Sequence, residues 1–150
     1  MISQTAEYAL RAVVLLGSRA EESLTTQEIA RATKVPAGYL SKVLQALGRA
    51  DLVHSQRGIR GGFTLARSFD RISVLDVINA VDPIRRIERC PLELASHGTN
   101  LCPLHRRLDD AAATMQREFA SCTVAALLAE PTLSKPLCES PVTIGAPRCQ

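Results

Sequence analysis

Residues 31–65 read RATKVPAGYLSKVLQALGRADLVHSQRGIRGGFTL, and this stretch decides the fold. A short helix ends at a turn, Lys34-Val35-Pro36, and a second, amphipathic helix follows. In that helix Leu40, Val43, Leu44 and Leu47 recur at i, i+3, i+4 and i+7, which makes one buried face. Tyr39, Ser41, Lys42, Gln45 and Arg49 occupy the other side, all able to contact phosphates or base edges. Gly38 near its start lets another backbone come close. The pattern is that of a recognition helix, with Pro36 in its first turn, where a missing N–H costs nothing. Beyond it, Val53–Gln56 and Phe63–Leu65 can pair as two short strands around Arg57-Gly58-Ile59-Arg60-Gly61-Gly62. The three glycines permit turn angles other residues avoid. The expected product is a wing with arginines at its tip.

The elements on either side of this stretch extend the reading. Thr5 to about Arg19 places Ala6, Ala9, Leu10, Val13, Val14 and Gly17 at helical spacing, as a helix lying beneath the DNA-reading unit. Glu21–Leu24 is a connection, and Thr25 with Glu28 forms a capping box that starts the first helix of the helix-turn-helix. Ser73 with Asp76 starts another helix, apolar at Val74, Val77, Ile78 and Val81 and stopped by Asp82-Pro83. From Ile84 to Leu101 the period dissolves into a loop of functional length. Pro103 then opens a long helix to about Ala120, with Leu104, Leu108, Ala111, Met115 and Phe119 along one stripe. A chain this small can hardly cover such a helix itself, so the stripe predicts pairing with a second copy; packing within the chain is the alternative. Thr123 to about Ala129 reads as a short return helix.

The fold class that follows is mainly α with a small β-wing: a winged helix-turn-helix domain over 1–83, a cysteine-containing loop over 84–102, and a dimerisation helix with its return helix over 103–130. Residues 131–150 hold four of the eight prolines, which predicts a disordered tail.

The net charge of +3 says little by itself, but its distribution is informative. Residues 34–67 carry six Lys/Arg against one Asp/Glu, placing positive charge where helix and wing would meet DNA. No apolar run is long enough for a membrane span, and the N-terminus lacks the basic start and cleavage site of a secretory signal. A cytoplasmic protein without membrane association is expected.

All five cysteines lie in the second half. Cys138 and Cys149 fall in the proline-rich tail, where an unstructured thiol is a poor ligand. Cys122 reads as a small buried apolar residue beside the last helix. Cys90, His97, Cys102 and His105 interleave as CPLELASHGTNLCPLH, and soft thiolate with imidazole suits zinc, iron or an iron–sulfur cluster. The spacing lacks the tight C-x-x-C pairing of most zinc sites.

The runs AEYALRA, YLSKVLQALGRADLVHSQRGIRGGFTLAR, ISVLDVINAVD and C-x-L-H-R-R-L resemble the Rrf-two family of bacterial winged-helix regulators, over roughly residues 1–130. RGIRGGFTLAR is the most specific of them. The resemblance implies a homodimer bound to double-stranded operator DNA, with a sensor loop that in many members holds an iron–sulfur cluster. By the same resemblance Cys90 and Cys102 are the first and last cluster cysteines and His105 the histidine that follows. Where cluster-binding members carry another cysteine, this sequence offers His97. Glu7 occupies the place of an acidic ligand that some members recruit from the partner subunit, although Glu7 is also placed for an ordinary helix pair with Arg11. Two thiolates with histidine or carboxylate suit a 2Fe-2S cluster, with 4Fe-4S the alternative.

The resulting expectation is a dimeric transcriptional regulator, a repressor, that senses redox state, nitric oxide or iron–sulfur supply. DNA contacts fall to Tyr39, Ser41, Lys42 and Gln45 in the groove and to Arg57 and Arg60 on the wing. The rivals are a cluster-free regulator with a thiol switch or small ligand, a cysteine enzyme activated by His97 or His105, and a partner-binding module without DNA. An enzyme is disfavoured because no orienting third group is visible.

Overall fold

The computed structural model describes residues 2–97 and 100–137. Helix α1 (Gln4–Ser18) starts at Ser3, whose hydroxyl accepts the Ala6 N–H. Its apolar stripe widens along its length, and Ala12 to Gly17 are buried without a break. Neighbours therefore surround the second half of α1 on all sides, which the one-faced period of its sequence does not reveal. At Gly17 an added Cβ would lie 3.0 Å from Val124 Cγ1 and 3.3 Å from Leu128 Cδ1. A larger residue here would require the Val124 and Leu128 side chains to give by a few tenths of an ångström.

Helix α2 (Thr26–Thr33) carries the Thr25–Glu28 capping box and ends at Lys34, which takes the left-handed conformation. Helix α3 (Ala37–Arg49) follows and buries Leu40, Val43, Leu44 and Leu47, the face its spacing predicts. Pro36 is the N-cap residue rather than part of the first turn, one position earlier than expected. Together α1, α2 and α3 enclose a core with Leu16, Ile29, Leu40, Leu44, Leu47 and Leu52 at its centre.

Strands β1 (Val53–Gln56) and β2 (Gly62–Leu65) pair antiparallel, Val53 opposite Leu65 and Gln56 opposite Gly62. The pair has a third partner. Leu24, in the connection after α1, bridges Phe63 through backbone hydrogen bonds of 3.1 and 2.7 Å. The wing is thereby fastened to the connection that leads into α2, a link one residue long that leaves no period in the sequence.

Helix α4 (Val74–Val81) begins with the Ser73–Asp76 capping box. Helix α5 (Pro103–Ser121) has no buried residue. Its apolar packing is at the C-terminal end, where Phe119 and the half-buried Cys122 just beyond the helix lie against Ala6, Val74 and Ile78. Helix α6 (Val124–Ala129) returns to the core, held by hydrogen bonds from Val74 N–H to the Cys122 carbonyl and from Val124 N–H to the Ile72 carbonyl. Most of the proline-rich segment, including Cys138 and Cys149, lies outside the described residues, as does Gly98 of the loop. Among the described residues no helix is long and apolar enough to cross a membrane.

Candidate nucleic-acid interface and cysteine loop

Burying the leucine face of α3 turns Gly38, Tyr39, Ser41, Lys42, Gln45 and Arg49 outward, all exposed. Arg57 and Arg60 are exposed at the wing tip, and His54, Ser55 and Gln56 along β1. Two of the side chains expected at DNA already have partners in the chain. The Ser41 hydroxyl bonds the Ala37 carbonyl at 3.0 Å. Tyr39 shares a hydrogen bond with Thr5 and meets the Tyr8 ring edge-on at 5.5 Å. With its hydroxyl engaged, Tyr39, 41% exposed as a residue, ties the start of α3 to the start of α1.

Arginines at helix ends complete this support, and sequence reasoning missed both roles. Arg11 pairs with Glu7 at 2.7 Å and donates to the Thr33 carbonyl at 2.9 Å, at the C-terminus of α2. Arg67, counted in the basic patch, donates to the Asp51 and Ala50 carbonyls at 3.0 and 3.2 Å and so caps the end of α3. A cation at a helix C-terminus meets the negative end of its dipole. The Glu7–Arg11 pair was readable at i, i+4; the carbonyls of Thr33 and Asp51 are brought near only by folding.

The loop after α4 is a series of turns fastened to α5. Arg86 grips Asp109 with two hydrogen bonds of 2.6 Å, and the Ile87 N–H adds a third to the same carboxylate at 2.8 Å. Gln116 donates to the Ile84 carbonyl at 2.8 Å. The Arg86 guanidinium first, and the Ile87 N–H second, hold the Asp109 carboxyl down at about 2. A carboxylate depressed in the folded state stabilises it fully above the unfolded pKa of 3.8, and this contribution is lost as pH falls toward about 2. The clasp is therefore expected to loosen in that window. In paired thermal melts from pH 5 to pH 2, Asp109→Asn should be less stable than wild type at pH 5, with the gap closing on acidification; a pH-independent gap would show that the ionised clasp contributes nothing.

Beyond the clasp, Cys90 is buried, with its Sγ 3.3 Å from His97 Nδ1. Cys102 is the N-cap residue of α5, and its Sγ lies 3.3 Å from His105 Nδ1, one turn into the helix. The structure thus sorts the expected ligands into two Cys–His pairs. The donors are of the right chemical type for iron or an iron–sulfur cluster. They do not fit one as the single chain folds, because among the described residues no three His, Cys, Asp or Glu side chains converge on a point a metal could occupy. Glu7 is engaged with Arg11.

A helix-turn-helix whose second helix presents polar residues beside a two-stranded basic wing defines a winged-helix DNA-binding protein. The chain belongs to the Rrf2 family, described as iron-dependent transcriptional regulators, whose model matches residues 2–130. An HTH-type transcriptional regulator of Aquifex aeolicus is 30% identical over 131 residues, covering 85% of this chain and 91% of that protein. Among solved structures, CymR, the global cysteine regulator of B. subtilis, is 28% identical with a TM-score of 0.67, covering 85% of this chain and 95% of its own. IscR of T. potens is alike in fold, with a TM-score of 0.70 at 23% identity over 85% of each chain.

Proposed function

We propose that this chain is a dimeric repressor that reads operator DNA with α3 and the wing and takes its signal through the loop at 84–102. The observation that carries the DNA-binding part is the division of α3 into a fully buried leucine face and an exposed polar face beside the arginine-tipped wing. Lys42 and Gln45 are the groove contacts with free reach. Arg60 is the minor-groove probe and Arg57 its phosphate-side neighbour. Dimerisation through α5 is supported by Leu104 and Leu108, 64% and 52% exposed on its apolar stripe. A cytoplasmic, non-enzymatic role accords with the transcriptional regulators it resembles.

For the signal, the iron dependence in the family description supports an iron-based sensor, and the donor types at the loop suggest where it would sit: a 2Fe-2S cluster by donor count or 4Fe-4S as the alternative, with Cys90, Cys102 and His105 as ligands and His97 or Glu7 completing the set. The two separate Cys–His pairs favour a second reading, a cluster-free thiol switch. In either case the clasp of Arg86 to Asp109 links the loop to α5, so rearrangement of the loop would tilt the two recognition helices. Half-sites lie about one DNA turn apart, and each good base contact is worth ~1–3 kcal/mol.

The test is operator affinity with the signal chemistry measured alongside. Anaerobically purified protein is assayed for iron, acid-labile sulfide and binding to DNA selected from a random pool. Cys90→Ala and Cys102→Ala are compared in reduced and oxidised samples. Matched iron and sulfide decide for a cluster, and their absence with redox-dependent affinity decides for thiols. Affinity that is identical in every sample and variant would overturn the sensor role of the loop. Failure to select any DNA would overturn the regulator reading.

A further inference from the structure

The wing tip combines charge with an apolar side chain that nothing in the chain covers. Ile59 is fully solvent-exposed, more so than any other large apolar side chain among the described residues. Arg57 and Arg60 flank it, both exposed. The turn beneath is closed by the Gly61 N–H on the Gly58 carbonyl at 2.9 Å, with Gly58 at φ 113°. It is also tight, since a Cβ on Gly61 would lie 2.7 Å from the Gln56 carbonyl oxygen. The ribbon is braced by the Leu24–Phe63 bridge, one strand pair back from the turn. A β-branched side chain, stiff at χ1, is thus held out at the end of a braced hairpin between two cations.

A single exposed apolar residue is ordinary on a protein surface. Its placement here is not arbitrary, because the minor groove presents two walls of phosphate to the arginines and a floor of stacked base edges to what lies between them. Aliphatic side chains wedge into such floors and part the stack. We propose that Ile59 is an apolar wedge that enters the minor groove and partly unstacks one base step, so that the wing reads the deformability of that step as well as anchoring to phosphate. The inference rests on the DNA-binding reading above and adds to it a specificity-determining residue that makes no hydrogen bond. Pyrimidine–purine steps part most easily and should be preferred where the tip lands.

The test uses the full-length protein and the operator it selects, with bending followed by fluorescence energy transfer between DNA ends. Wild type should bend the duplex by about 20° or more and favour a pyrimidine–purine step under the wing by about fivefold or more. Ile59→Ala should lose both bend and step preference while keeping its thermal stability and its salt slope, because the arginines remain; Ile59→Leu, which keeps an aliphatic wedge, should retain them. Wild type and Ile59→Ala with equal bend and equal step preference would overturn the wedge and leave the regulator intact. A wild-type chain that selects no DNA would instead overturn the regulator reading, and the wedge with it.

Discussion

Leu104→Glu combined with Leu108→Glu is expected to convert the protein to a folded monomer that has lost most of its operator affinity. Both side chains are largely exposed in the single chain, and α5 buries no residue of its own along this stripe. Carboxylates there cost the isolated subunit almost nothing, and its helical circular dichroism should be unchanged. In the proposed dimer the same positions face their copies, so four carboxylates would share a desolvated seam, where like charges repel and burial opposes ionisation. Losing the dimer separates two recognition units that otherwise bind as one, and linked binding typically exceeds single-unit binding by about 10²–10⁴-fold. Analytical ultracentrifugation reads the first effect and fluorescence anisotropy with a two-half-site operator the second. A double variant that still sediments as a dimer would move the interface elsewhere.

Gly62→Ala is expected to have the larger effect on stability. The residue sits at φ 156°, and a Cβ would fall 2.7 Å from both the carbonyl carbon and oxygen of Leu24. That obstacle is backbone, so no side-chain rotation relieves it. The substitution carries ~1–3 kcal/mol of conformational strain, and it opposes two bridge hydrogen bonds worth ~0.5–1.5 kcal/mol each. Thermal unfolding should shift down by several degrees, and the loosened wing should bind DNA more weakly. Gly38→Ala is the contrasting case: within α3 an added Cβ meets nothing within 4 Å. It should raise stability by ~0.5–1 kcal/mol through helix propensity and still lower affinity if DNA backbone approaches there. A Gly62→Ala protein as stable as wild type would mean that the Leu24 bridge does not hold the wing.

The fold was legible wherever its cause is local. The leucine period of α3, the capping boxes at Thr25 and Ser73, and the glycine-broken ribbon each depend on residues within a turn or two of one another, and the strands and helices lie within a residue or two of their expected bounds. The candidate site was legible only in part. Sequence identified the outward residues of α3 and the wing, but not that Tyr39 is held by Thr5 and Tyr8 or that Arg67 serves the end of α3. It placed Cys90, His97, Cys102 and His105 in one loop, and the donor chemistry suggested a common centre.

What the sequence by itself determined is therefore the identity and order of the elements, the buried face of each amphipathic helix, and the concentration of positive charge on the recognition helix and wing. These follow from periodicity and backbone preference, which act over a few residues. Only the tertiary structure decided that the second half of α1 is enclosed on all sides, that Leu24 braces the wing, that Asp109 clasps the loop to α5, and that the thiols stand as two Cys–His pairs. The first three join groups far apart along the chain, and which of them meet is set by how the helices pack and not by spacing; the Cys–His pairs are local, seven and three residues apart, and what folding decided there is that the two pairs share no centre.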